Sequence, residues 1–154
     1  MHRADGGAGS GRDNHSIIEP AGWPRPKGFS YGVAASGRIV FLSGIIGTAR
    51  DGKLVAREGP GGKGAAIFLA QARQALTNIR DLLAAADVSP AQMTRMTWYI
   101  VDRAEYLACQ SELGAAYREV LGRTYPAMAV VQVVALVEEG ARVEIEVTAV
   151  KADS

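Results

Sequence analysis

The sequence predicts a single α+β domain with the element order β-β-α-β-α-β-β, and three observations carry that reading. In one long segment Phe68, Ala72, Ala75, Leu76, Ile79, Leu82, Leu83 and Ala86 recur at spacings of three and four, the signature of an amphipathic helix. A second apolar stripe of Leu113, Ala116, Tyr117, Val120 and Leu121 follows another strand-like run. The closing part holds two β-rich runs, 127–137 and 142–150, parted by Glu138-Glu139-Gly140-Ala141. A chain of 154 residues that is 48% apolar can bury one core.

Residues 1–16, with Gly6, Gly7, Gly9 and Gly11 among scattered charges, hold too little apolar surface to offset the entropy of ordering. They are expected to form a flexible tail, which leaves 17–154 as the domain. A Pro-rich lead-in, 19–27, precedes the runs 30–35 and 38–46, which Ser36-Gly37 would join as a two-residue hairpin. Asp51-Gly52 marks a turn, and the Gly-rich stretch 59–64 leads into the long helix. Ser89-Pro90-Ala91-Gln92 sets a capping serine before a proline, with glutamine three on, so a helical turn precedes a strand over 96–101. Asp102 and Glu105 have capping-box spacing ahead of a second helix over 103–121. The last two runs suit a hairpin or a tight connection.

Two strands are apolar on both faces. The run from Ala127 carries Ala129, Val131 and Val133 on one side and Met128, Val130 and Val134 on the other. The run from Arg38 sets Ile39, Phe41 and Ile45 against Val40, Leu42 and Ile46. Two helices cover one face of a small sheet, so another copy of the chain is the simplest cover for the second.

Composition removes several classes of function. The formal net charge of +1 gives no basic field for nucleic acid or an anionic membrane. No apolar run reaches the roughly 20 residues of a membrane-spanning helix, and the N-terminus lacks the pattern of a secretory leader. Cys109, as the one cysteine, excludes an internal disulfide and a multi-cysteine zinc site, and a cytoplasmic location is expected. His2 and His15 both fall in the expected tail, which leaves no material for a histidine triad or a histidine metal site. The stretch 59–64 fails the phosphate-loop pattern, because Arg57 stands at its first glycine and Gly64 at its hydroxyl position.

Gly32-Val33, Phe41-Leu42-Ser43-Gly44, Gln71-Ala72-Arg73-Gln74-Ala75-Leu76-Thr77-Asn78-Ile79, Tyr125-Pro126-Ala127 and Val143-Glu144-Ile145-Glu146-Val147, in this order and spacing, resemble the reactive-intermediate deaminase (Rid, YjgF-like) superfamily over about 29–150. The resemblance implies a chorismate-mutase-like subunit with two helices on one face of the sheet. It also implies a homotrimer whose sheets face a central barrel, with small-molecule sites in the clefts between subunits. Members of the best-known type hydrolyse enamines and imines to a carbonyl compound and ammonia without metal or organic cofactor.

The same resemblance sets Met128 where the family has an arginine that clamps the substrate carboxylate. It sets Phe29 at a tyrosine position, Ile45 at a position often held by glutamine, and Gly114 at an asparagine position. Ser43 and Glu146 survive from the polar set, with Glu146 as the carboxylate that directs water. Phe29, Tyr31, Ile45, Trp98 and Met128 are expected to line a less polar pocket, and Arg25 is the candidate for the missing positive charge. Two functions follow: a hydrolytic deaminase of an enamine or imine other than a short acid, or a non-catalytic trimer that binds a small metabolite or serves a regulatory role. A ribonuclease role, a label attached to the superfamily, finds no catalytic pair in this sequence.

Overall fold

The structure, a computed structural model, describes residues 14–57 and 64–153. Residues 1–13 of the expected tail, His2 included, and 59–63 of the Gly-rich stretch lie outside the described residues. The elements are β1 (His15–Ile18), β2 (Gly32–Ala35), β3 (Arg38–Phe41), β4 (Ile45–Ile46), α1 (Gly64–Ala85), a 3-10 turn (Pro90–Gln92), β5 (Met93–Ile100), α2 (Arg103–Ala108), α3 (Gln110–Leu121), β6 (Ala127–Gln132) and β7 (Val143–Lys151). The main sheet runs β3-β7-β5-β6, with β4 pairing farther along β7.

One face of this sheet holds the core. Met96, Trp98 and Ile100 of β5 stand beside Val147, Ile145 and Val143 of β7, and all six are buried under Phe68, Leu76, Ile79 and Leu83 of α1 and Leu113 and Tyr117 of α3. The periodic positions of α1 are the ones buried, as the spacing predicts. Leu82 is the exception, at 41% exposed. Ser89 caps the 3-10 turn with the full reciprocal capping box. Asp102 also caps its helix, accepting from Ala104 N, whereas Glu105 pairs with Arg142 at 2.6 Å. The second helix breaks at Cys109, whose φ of −126° leaves the helical region, and its thiol donates to Glu105 O.

Strand pairing departs from the sequence reading in three places. Ser36-Gly37 does not close a hairpin, because β2 pairs with β1 and β3 pairs with β7. Gly37 adopts φ +133°, and a Cβ there would overlap the Lys151 carbonyl. It is glycine because the chain passes tightly over the end of β7. The last two strands do not pair either: β6 runs parallel to β5, and β7 lies on the other side of β5. Strand β6 stops at Gln132, and Val134 and Val137 beyond it are fully exposed. β1 also takes in His15 and Ser16, inside the stretch read as tail, and His15 Nε2 donates to Val150 O at 2.7 Å.

The third departure reverses a face. Phe41 pairs with Thr148 and Ile45 with Ile145, so a step of four residues on one strand spans three on its partner. The extra residue makes Ser43-Gly44 a bulge, which turns Ile45 onto the core face with Val40 and Leu42. The opposite face of the sheet carries Ile39, Phe41 and Val131, which are 56%, 74% and 43% exposed, and the side chains of Tyr99, Glu144 and Glu146.

Candidate active site

A cavity of about 330 Å³ lies between α2, α3 and the β5–β6 edge of the sheet. Its walls come from the core face: Trp98 of β5, Met128 and Val130 of β6, and Leu113 of α3. Tyr106, Tyr117 and Tyr125 add an aromatic side, the last two rings stacked at 5.2 Å with Tyr117 Oη donating to Thr124 O. Burial lifts the Tyr117 phenol far above the usual range, so it stays neutral. The lining also includes two exposed cations, Arg118 of α3 and Lys27 of the lead-in. The lead-in is fixed there by Ser30, whose N–H donates to Pro126 O at 3.0 Å and whose hydroxyl donates to Tyr125 O at 2.6 Å.

A second group of polar side chains occupies the opposite face. Tyr99 Oη donates to Glu146 Oε1 at 2.6 Å. This hydrogen bond is the main cause that holds the Tyr99 phenol above its ordinary range, ahead of partial burial and the charges of Glu146 and Glu144. Glu144, two residues along β7, lies against the Ser43-Gly44 bulge, so closely that a Cβ on Gly44 would overlap its Oε1. Ser43 itself is exposed.

The sequence-predicted residues are therefore not gathered in one place. Trp98 and Met128 share the cavity, together with Gly114. Ile45 borders a shallow groove with Asn78 and Thr48. Arg25 and Tyr31 line a separate hollow in the lead-in with Trp23. There Tyr31 Oη donates to Pro24 O, and its ring meets Trp23 and Phe29 edge to face at 5.0 and 5.5 Å. The cation that this segment adds to the cavity lining is Lys27, two residues past Arg25. Lys27 and Arg118, which also line the cavity, were not singled out from the sequence; the one signal for Arg118 was its place four residues after Gly114, on the same side of a helix.

Among the described residues no group of three or more side chains suited to holding a metal ion occurs, and no helix is long and apolar enough to cross a membrane. A sheet with helices on one face, polar and apolar groups on the bare face, and a cavity with two cations in its lining at one edge defines a chorismate-mutase-like α+β subunit. The chain matches the family described as Endoribonuclease L-PSP over residues 24–151, and it belongs to that family, the Rid (YjgF-like) superfamily.

It is 34% identical over 115 residues to 2-iminobutanoate/2-iminopropanoate deaminase of Capra hircus, 74% of each chain being covered. The Bos taurus protein of the same name gives the same figures. Among solved structures it is similar to the Rid-family protein YyfB of Yersinia pestis, with a TM-score of 0.72, 30% identity, and 89% of this chain and 98% of that one covered. It is also similar to E. coli TdcF with bound serine, with a TM-score of 0.61, 29% identity, and 89% and 99% covered.

Proposed function

We propose that this chain is a hydrolytic deaminase of a reactive imine, or of an enamine after tautomerisation, and that it works as a homotrimer with its bare sheet faces around a central barrel. The observation that carries the reading is the Glu144 carboxylate folded onto the Ser43-Gly44 bulge. The names of relatives at 34% identity supply the reaction class. Within one chain the sheet separates Glu144 from the cavity holding Met128 and Trp98, because adjacent residues of a strand point to opposite faces. The proposed site therefore joins the cavity of one copy to the bulge and Glu144 of the next, and the exposed Ile39 and Phe41 are covered in the same assembly.

In this site Glu144 takes a proton from water as the water oxygen bonds to the imine carbon, and the proton passes to nitrogen. The hydroxyl proton of the resulting carbinolamine then passes through the same carboxylate to the amino nitrogen, and the C–N bond breaks with its electron pair leaving on nitrogen, which gives a carbonyl compound and ammonia. Ser43 offers a hydroxyl to the same water. The family resemblance gives the water to Glu146, but Glu146 accepts from Tyr99, and we assign that role to Glu144 instead. Met128 and Gly114 favour a second reading, in which the cavity binds a metabolite without turnover.

The test is ammonia release from imines generated in place by amino-acid oxidases, with short and aromatic side chains. Acceleration by the wild-type chain that disappears in Glu144→Gln and survives in Glu146→Gln supports the proposal. No acceleration by the wild-type chain across that panel turns the assignment to the binding protein.

A further inference from the structure

The cavity presents an apolar and aromatic interior beneath two cations, and this arrangement specifies a ligand. We infer that Arg118, assisted by Lys27, is the carboxylate-binding group of this chain, and that its ligand is a carboxylate with an aromatic or similarly bulky apolar body. The inference rests on reading the cavity as the substrate half-site.

Arg118 sits on α3 one turn after Gly114, and its Nη1 lies 3.2 Å from where a Cβ on Gly114 would be. The missing side chain at 114 is what gives the guanidinium its place over the cavity. Neither Arg118 nor Lys27 has a carboxylate partner among the described residues, although Arg57, Arg73, Arg80, Arg142 and Lys151 each have one. A planar guanidinium with free donors at the mouth of an apolar hollow suits a carboxylate, which it can hold by two parallel hydrogen bonds. The wall below offers Met128, whose thioether cannot hold an anion, so positive charge enters from the helix and not from the strand.

A second observation points to the same ligand. Trp98 lines the cavity at 3% exposure, and its indole N–H is buried with no acceptor among the described residues. A buried donor without a partner is costly, by roughly 1–3 kcal/mol in general, and a ligand oxygen would relieve it. The volume of about 330 Å³ falls at the small end of the usual range for ligand sites, roughly 300–1,000 Å³, and admits one ring with a short acidic arm. Tyr106, Tyr117 and Tyr125 offer that ring faces and edges to pack on.

The experiment is calorimetric titration of the full-length chain with 3-phenylpropanoate, with acetate as the acid lacking a body and 3-phenylpropan-1-ol as the body lacking an acid. The expected result is binding of 3-phenylpropanoate at least about tenfold tighter than either control. Arg118→Met should weaken it by about tenfold or more, and Arg118→Lys should restore part of the loss. Thermal unfolding of the free variants, which lose no ion pair, should match that of the wild type. Equal affinity for acid and alcohol, no binding of 3-phenylpropanoate, or an Arg118→Met variant that binds as the wild type does would each overturn the inference. Binding is read without turnover, so the two proposals fail separately. Tight Arg118-dependent binding without ammonia release sinks only the deaminase reading, and ammonia release indifferent to Arg118→Met sinks only this one.

Discussion

The Glu144 carboxylate lies on the backbone of Gly44, in a space that a single methyl group at position 44 would claim. The contact exists because one extra residue between Phe41 and Ile45 bulges the strand toward β7 just where Glu144 projects from the bare face. Glycine at position 44 is what leaves room for this carboxylate.

Gly44→Ala therefore tests the position of Glu144 without removing it. The end of a flexible side chain can yield to the new methyl, so the fold should survive with little change in thermal midpoint. The displaced carboxylate should lower kcat for imine hydrolysis by about tenfold to a hundredfold, the usual consequence of misplacing a reacting group by an ångström. Steady-state ammonia release beside a melting curve separates the two effects.

The Tyr99–Glu146 pair predicts a pH signature. The phenol is raised because ionising it would break its hydrogen bond to a carboxylate and set two negative charges together. A raised folded pKa means that the contribution of this contact to stability is complete below the unfolded tyrosine value, about 10, and is lost as pH climbs through the folded one. Absorbance titration near 295 nm, as the difference between wild type and Tyr99→Phe, should show a phenol ionising above the ordinary range. Glu146→Gln should bring it down. The difference titration is needed because burial also raises Tyr117.

Gln71 is fully buried, and its amide bonds three backbone groups of two loops. Nε2 donates to Ala56 O and Gly140 O, both at 3.0 Å, and Oε1 accepts from Arg142 N at 2.8 Å. Gln71→Leu keeps the volume roughly constant and orphans all three groups. Chemical denaturation should show a loss of about 3 kcal/mol or more, because each unsatisfied buried group costs roughly 1–3 kcal/mol. Asn78 ties α1 to the chain after β4 in a smaller way, donating to Ile46 O and Thr48 O.

These side chains also show why the sequence was readable in some places and not in others. The helices were legible because Phe68, Ala72, Leu76, Ile79 and Leu83 repeat at a period that local geometry imposes, and the caps at Ser89 and Asp102 were legible because they satisfy donors two or three residues away. Strand partners are non-local. Ser36-Gly37 has the composition of a hairpin, but its glycine answers to Lys151, and no local pattern carries that information. The bulge at Ser43-Gly44 shifts the alternation by one, so Ile45 was put on the wrong face, and only the register against β7 reveals it. The polar groups escaped for the same reason. Glu144 and Glu146 are equivalent by alternation, and the contact with Gly44 is what distinguishes them.

The division of the proposed site by the sheet leads to the strongest test of assembly. Phe41, 74% exposed on the bare face, should lie in the contact between copies of the proposed trimer, so the wild-type chain should sediment as a trimer and Phe41→Glu as smaller species without ammonia release, with no polar group of the proposed site altered. Complementation carries the argument further. Glu144→Gln disables the bulge side of each cleft, and Trp98→Leu perturbs the cavity side, so each variant alone should be nearly inactive. If a cleft takes one side from each of two chains, co-refolding the variants in equal amounts leaves about one cleft in four with both sides intact, and roughly a quarter of wild-type activity should return. A site complete within one chain would recover nothing on mixing, because every chain would still carry one of the two lesions.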